Sequence, residues 1–219
     1  DVFTIDKILL GDVFIRGGSS SGTHVLEEGR PIGQFYGLVC NGIDENGRYI
    51  MVDKDGDGEI SDPADYDYIG SAQPKLTYGI TNTFRYKNFD LSFFLRGTIG
   101  NDILNATRMA YAQSGFLPGT NALDDPLTYT LSETPRFSNY YLEKGSFMRL
   151  DNLTLGYKIK ALNGIRVYFT AQNLFVITKY KGLDPEVPMD SGDGLTPGVE
   201  PREFYPKART FSVGLNLNF

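Results

Sequence analysis

Tryptophan is absent from this 219-residue chain, and cysteine and histidine occur once each. Nor is any apolar run long enough for a helix to cross a bilayer. Each scarcity excludes something. A lone Cys40 permits no internal disulfide, and a single thiol of this kind reads as a tucked-away residue rather than a nucleophile. The lone His24 lies in GGSSSGTH, a flexible-looking stretch with no nucleophile-elbow pattern beside it, which is a poor setting for a Ser-His-Asp triad. No catalytic or cofactor-binding set emerges, and an enzyme is not expected. Positive charge is also short: 21 Lys and Arg stand against 27 Asp and Glu, a formal net charge of -6. A nucleic-acid partner would call for a basic face instead.

What is present is alternation. In RTFSVGLNLNF, Phe211, Val213, Leu215, Leu217 and Phe219 share one parity, and Ser212, Gly214, Asn216 and Asn218 share the other. Earlier segments repeat this. Leu76, Tyr78, Ile80, Phe84 and Tyr86 oppose Thr77, Gly79, Thr81, Thr83 and Arg85; Phe89, Leu91, Phe93 and Leu95 oppose Asp90, Ser92, Phe94 and Arg96. Leu153, Leu155, Tyr157 and Ile159 form a fourth run, and Ile165, Val167, Phe169 and Ala171 a fifth, opposed by Arg166, Tyr168, Thr170 and Gln172. A period of two with one oily and one wet side predicts strands, each close to the roughly 9 to 11 residues that a tilted strand needs to cross a bilayer. Asn82 falls on the oily parity, and a slip between Leu150 and Leu153 predicts a bulge. A mean hydropathy of -0.25 fits a wall of which half faces water.

Connection lengths predict a topology. The breaks after Tyr86 and Ile159 are short, whereas those at about 100–140 and 178–206 are long. Outer-membrane barrels have short periplasmic turns and long extracellular loops, so residues 76–219 read as the C-terminal five strands of an all-β transmembrane antiparallel barrel. Residues 1–75 then form an extracellular loop region. Phe89, Leu91, Phe93, Leu95, Val167, Phe169, Val213 and Leu215 are expected to face lipid, with Leu215 near the midplane. Arg85, Asp90, Arg96 and Arg166 have the parity of a polar interior. Five strands cannot close a barrel when known ones begin at about eight, and no signal peptide is present. The chain is therefore expected to be the C-terminal piece of a larger protein.

Several ordered motifs carry a resemblance to a known family: EGRPIGQFYGLVCNGI from Glu28, DKDGDGEIS from Asp53, YIGSAQPKLTYG from Tyr68, KNFDLSFFLRGTIGNDILN from Lys87, GSFMRLDNLTLGY from Gly145, IRVYFTAQNLFVITKYKGLDPEV from Ile165, and the YPKARTFSVGLNLNF ending. In this order they resemble the C-terminal third or less of SusC/RagA-like TonB-dependent transporters. The resemblance implies a 22-stranded barrel in a Gram-negative outer membrane, a plug and TonB box outside this chain, and a SusD-like surface lipoprotein as lid. It also implies import of a bulky glycan or oligopeptide. An alternative from another class is a SusC-like barrel that transports nothing and acts as a platform for another outer-membrane complex.

One segment has chemistry of its own. Asp53, Asp55 and Asp57 occupy positions 1, 3 and 5 of an EF-hand-like loop, Gly56 permits its sharp turn, and the carbonyl of Glu59 is the next ligand expected for Ca²⁺. Position 12, where a bidentate Glu would stand, is Ala64, leaving Asp62 or Asp65 to replace it. The competing reading is a solvated acidic turn. Met109, Tyr111 and Phe116, in the long connection, read as loop packing ahead of stacking on sugars or packing against a lid.

Overall fold

The computed structural model describes residues 7–15, 18–114, 117, 119, 121–160, 165–187, 194–201 and 205–217, except for the side chains of 12–21. The strands in chain order are β1 (Ile8–Ile15), β2 (Gly18–Leu26), β3 (Gln34–Leu38), β4 (Cys40–Ile43), β5 (Tyr49–Met51), β6 (Tyr66–Ser71), β7 (Leu76–Tyr86), β8 (Phe89–Ile99), β9 (Asp102–Leu104), β10 (Leu142–Lys144), β11 (Phe147–Ile159), β12 (Ile165–Thr178) and β13 (Thr210–Asn216). Two short helices, α1 (Ala106–Tyr111) and α2 (Pro126–Thr130), lie between β9 and β10.

The alternating runs form one five-stranded antiparallel sheet in the order β13-β12-β11-β8-β7. Pairing aligns their parities into rows across the sheet. Phe84, Leu91, Leu155, Phe169 and Val213 are successive register partners on one face. Thr83, Ser92, Thr154, Thr170 and Ser212 form the neighbouring row on the other. The expected bulge is present, because β11 shifts register against both β8 and β12 between Leu150 and Asn152. Its counterpart in β12 was not foreseen. There Asn173 adopts φ 51°, a left-handed conformation that asparagine tolerates better than most residues. Asn82 does lie on the oily face, opposite Phe93. Leu215 is not at mid-sheet: its partner Val167 lies next to the start of β12, so the row stands close to the turns, and Leu153 marks the centre of β11 instead. Phe219 lies outside the described residues.

Residues 7–75 are not a plain loop region. A four-stranded sheet, β1-β2-β3-β6, and the hairpin β4-β5 occupy them. Gly18 to His24 of the GGSSSGTH stretch form most of β2. With α1, α2 and the β9-β10 pair they make a cap at the long-connection end of the large sheet. Phe35, Leu104, Met109, Leu127, Phe137 and Tyr141 form its core. Burial of each such side chain contributes about 1.5–3 kcal/mol. The helices are short but capped: Asn105 accepts from the Arg108 amide at 2.8 Å, and Asp125 accepts from the Leu127 amide at 2.9 Å. Arg108 then reaches Asp125 at 2.9 Å, joining the two helix starts.

Candidate functional site: the polar sheet face and the acidic turn

The two faces of the large sheet differ in chemistry as the alternation predicts. On one face Ile80, Phe84, Val213 and Leu215 are 51, 52, 75 and 62% exposed, with no part of the described structure covering them. Water disfavours such a surface by about 25 cal/mol per Å², and a contiguous patch of this kind marks contact with an apolar partner or medium. The other face carries hydroxyls along its middle and charges towards both ends. Near the turns, Arg166 makes a forked contact with Asp90 at 2.9 and 2.5 Å. This pair crosses above Gly156, where a Cβ would stand 2.5 Å from both partners and would push the pair aside.

At the opposite end Arg96 and Arg149 are register partners. Like charges directly opposite repel, and acids from the connection after β12 compensate them. Asp184 pairs with Arg149, whose side chain is 1% exposed. Glu186 lies 2.6 and 2.9 Å from the terminal nitrogens of Arg96, 3.5 Å from Nε of Arg149 and 2.5 Å from Nζ of Lys207. Asp151, the extra residue of the bulge, adds a contact to Arg96 at 3.2 Å. Residues 179–187 therefore fold back over the polar face, and Val187 packs with Ile103 and Tyr180. A cleft of about 500 Å³ opens beside them, lined among others by Thr77, Thr98, Phe147 and Arg96. Parity alone identified Arg96. Arg149 was missed because its partners stand far along the chain, although the acidic pair in GLDPEV was a visible signal.

The acidic turn lies in the cap. One carboxylate oxygen from each of Asp53, Asp55 and Asp57 comes within 4.8 Å of the others. Gly56 and Gly58 have φ 79° and 90°, which lets the backbone curl so that their amides donate to Asp53 at 2.6 and 2.9 Å. Asp55 and Asp57 accept from the amides of Asp57 and Glu59 at 3.1 and 2.8 Å. Asp65 closes the turn from below: its carboxylate accepts from the amides of Lys54 and Ser61 at 2.7 and 2.8 Å, and the residue is 1% exposed. The Ser61 amide, with those of Lys54 and Asp55, holds the Asp65 carboxyl below the usual carboxylate range. Asp62 instead pairs with Arg136 at 2.8 Å. The structure thus gathers the carboxylates of Asp53, Asp55 and Asp57, and leaves those of Glu59, Asp62 and Asp65 outside that group.

The remaining singled-out residues are structural. His24 is fully buried against Phe35, with Nδ1 2.8 Å from the Thr23 hydroxyl and Nε2 2.9 Å from the Pro197 carbonyl. Cys40 is buried and donates to the Gly42 carbonyl at 3.1 Å, and burial pushes its thiol up. Met109 is fully buried in the cap core, Tyr111 is half-buried, and Phe116 lies outside the described residues.

No protein-family profile matches the chain. Among curated proteins it is 34% identical to the TonB-dependent receptor P3 of Formosa agariphila, over 90% of this chain and 23% of that protein. It is 36% identical to the TonB-dependent receptor SusC of Bacteroides thetaiotaomicron, over 95% of this chain and 21% of that protein. Among solved structures, the RagAB peptide transporter superposes with a TM-score of 0.72 at 25% identity, over 97% of this chain and 25% of that one. The chain thus spans about a quarter or less of the length of these relatives. With matched strands, a two-sided sheet and relatives along nearly all of its length, the chain belongs to the SusC/RagA-like TonB-dependent transporters.

Proposed function

We propose that these five strands form part of a closed, 22-stranded barrel wall in a Gram-negative outer membrane, in a protein that imports a bulky nutrient, a glycan or an oligopeptide. The observation that carries this reading is the uncovered apolar face of the large sheet, backed by a continuous polar face. Tyr86, Phe89 and Tyr157 share the row near the turns, and Tyr78 stands near the other end of β7, in keeping with aromatic girdles at two interfaces. At about 3.4 Å per residue, Tyr78 and Tyr86 are roughly 27 Å apart along their strand. Both edge strands, β7 and β13, have unpaired backbone groups along one side, which lipid does not tolerate, so each edge calls for a further strand.

In this reading the short turns face the periplasm and the cap faces outward. A SusD-like lipoprotein then sits over the cap, where Ile32, Ile50, Tyr129, Leu183 and Tyr205 are exposed, and a TonB complex supplies energy through sequence outside this chain. Deleting the whole transporter and following TonB-dependent uptake of labelled oligosaccharide and oligopeptide mixtures tests the function. Loss of uptake is expected. Unchanged uptake in the deletion strain, with other outer-membrane proteins losing their association, would favour the platform.

We propose further that the acidic turn binds one Ca²⁺ through Asp53, Asp55 and Asp57, with the Glu59 carbonyl and Asp62 or Asp65 completing the set. The closeness of three carboxylates supports this. The ion would stiffen the cap rather than take part in chemistry. Isothermal titration of the intact protein with Ca²⁺ should give heat that disappears in Asp55→Ala, and an unchanged titration would leave the turn merely solvated.

A further inference from the structure

Towards the cap, the oily face of the large sheet ends in a cleft that holds two lysines. Tyr78, Gly97, Met148 and Ile177 are successive register partners there, about 27 Å along β7 from the row of Tyr86 at 3.4 Å per residue. Gly97 has no side chain, so Tyr78 lies across it and its hydroxyl comes 3.4 Å from the Phe147 carbonyl. Beside that ring opens a space of about 450 Å³, lined among others by Tyr78, Ile99, Lys144, Ser146, Ile177 and Lys179. Ile99 and Ile177 are 49 and 58% exposed. Lys144 pairs with Asp102 at 2.7 Å yet keeps 76% of its side chain exposed, and Lys179, also exposed, is paired with no acid among the described residues. The Ser146 hydroxyl accepts from the Gly100 amide at 2.9 Å, which leaves its proton to donate. Among the described residues no acid lines the cleft.

We propose that this cleft binds one phosphorylated lipid of the outward leaflet, with its phosphate met by Lys144, Lys179 and the Ser146 hydroxyl and an acyl chain laid along Ile99, Tyr78 and Ile177. Three observations select that occupant. The cleft runs into the uncovered apolar face, so its occupant has to continue as hydrocarbon; a soluble anion or an acidic peptide would leave Ile99 and Ile177 bare. Its polar end is cationic in a chain whose net charge is -6, and a lysine ammonium is a compact point charge that suits phosphate. The height also fits. The apolar band of an outer-membrane barrel is about 25 Å tall, and Lys179, next but one after Ile177, stands about 7 Å beyond the Ile177 row. Its ammonium therefore reaches headgroup level while its methylene stem covers the oily wall, the arrangement in which a basic residue beside a bilayer gains most from anionic lipid.

The proposal rests on the reading of the oily face as lipid-facing, and its test is separable from that reading. The intact protein, delipidated in a neutral detergent, is titrated with diphosphorylated lipid A, with the same lipid stripped of its phosphates, and with inorganic phosphate, and native mass spectrometry counts the bound molecules. One diphosphorylated lipid should bind at concentrations where the stripped lipid and inorganic phosphate do not. Lys179→Gln, at an exposed position, should weaken that binding about fivefold. Lys158→Gln, exposed at the far end of the sheet, should leave it unchanged. Equal binding of the two lipids, binding of inorganic phosphate as tight as that of the lipid, or equal loss in Lys179→Gln and Lys158→Gln would each overturn the proposal, as would undiminished binding in Lys179→Gln. An error in the barrel reading would show separately, in the absence of the protein from outer-membrane fractions.

Discussion

In the cap, Phe35, Leu38, Leu104 and Met109 are fully buried, whereas in the large sheet Phe84, Ile177, Leu215 and Val213 keep 52, 58, 62 and 75% of their surface exposed. The residue types are the same and the chain is continuous, so the difference lies in what surrounds them. The cap makes its own dry interior by folding short strands and helices over one another. The sheet makes none and leaves its oily side to the medium. Exposure of apolar side chains in the one region would be a fault, and in the other it is the specification of a solvent.

The sharpest test of the contrast concerns charge rather than oil. Asp184→Asn removes the partner of a guanidinium that is 1% exposed, and an unpaired buried charge is expected to cost about 3–5 kcal/mol. Hydrogen exchange should show it as lost protection at residues 180–187 with the strands unchanged. Phe35→Ala is expected to cost a similar or slightly smaller amount, about 3–5 kcal/mol from lost transfer and cavity terms. Because the cap core is self-made, that cost should be equal in detergent and in lipid when followed by denaturation. Leu153→Arg, at mid-sheet, is expected to cost about 2–4 kcal/mol in lipid vesicles, and Leu215→Arg, nearer the turns, less. Ile50→Arg in the cap, where the side chain is 48% exposed, should stay within about 0.5 kcal/mol. Equal penalties for Leu153→Arg and Ile50→Arg would erase the distinction between the regions.

The smallest expected effect is one of pH. Asp65 has a folded-state pKa below its unfolded value, because backbone amides donate to its ionised form. Its contribution is therefore complete above the unfolded value, near 4, and is lost as pH falls through the lower folded value. Acid titration followed by amide exchange should loosen Lys54, Asp55 and Ser61 first while the sheet stays intact. Asp65→Asn should show that looseness already at neutral pH.

The large sheet was almost fully legible in the sequence because its period-two pattern follows from one apolar and one polar face and not from distant contacts. The bulge could be read from the slip between Leu150 and Leu153, since a strand that must keep both leucines on one face has to absorb the odd residue. The cap was not legible. In β3 Phe35 packs in one cluster with Leu104 and Phe137, and Leu38 bridges Ser138, partners about 70 to 100 positions along the chain that no local period encodes. The acidic turn was visible as a motif, and its three leading carboxylates do gather. The partners of Asp62 and Asp65 were hidden, because Arg136 is remote and the amides that hold Asp65 are silent in a sequence. Arg149 looked like any polar residue beside a bulge until its acids folded back onto it.

That bulge has a mechanical consequence. The ladder on both sides of β11 is interrupted at the same level, between Leu150 and Asn152, and there Asn173 accepts from Arg149 across the interruption and donates on the other side of β12 to the carbonyls of Lys207 and Ala208 at 2.6 and 3.3 Å. Around β11 the sheet is thus two lattices joined at a seam, with the hydroxyl rows and turns below and the arginine pair and its acids above, while the β7–β8 ladder passes that level unbroken. A seam of this kind acts as an expansion joint. Strain or length changes in the upper connections are expected to be taken up there, leaving the rows below aligned.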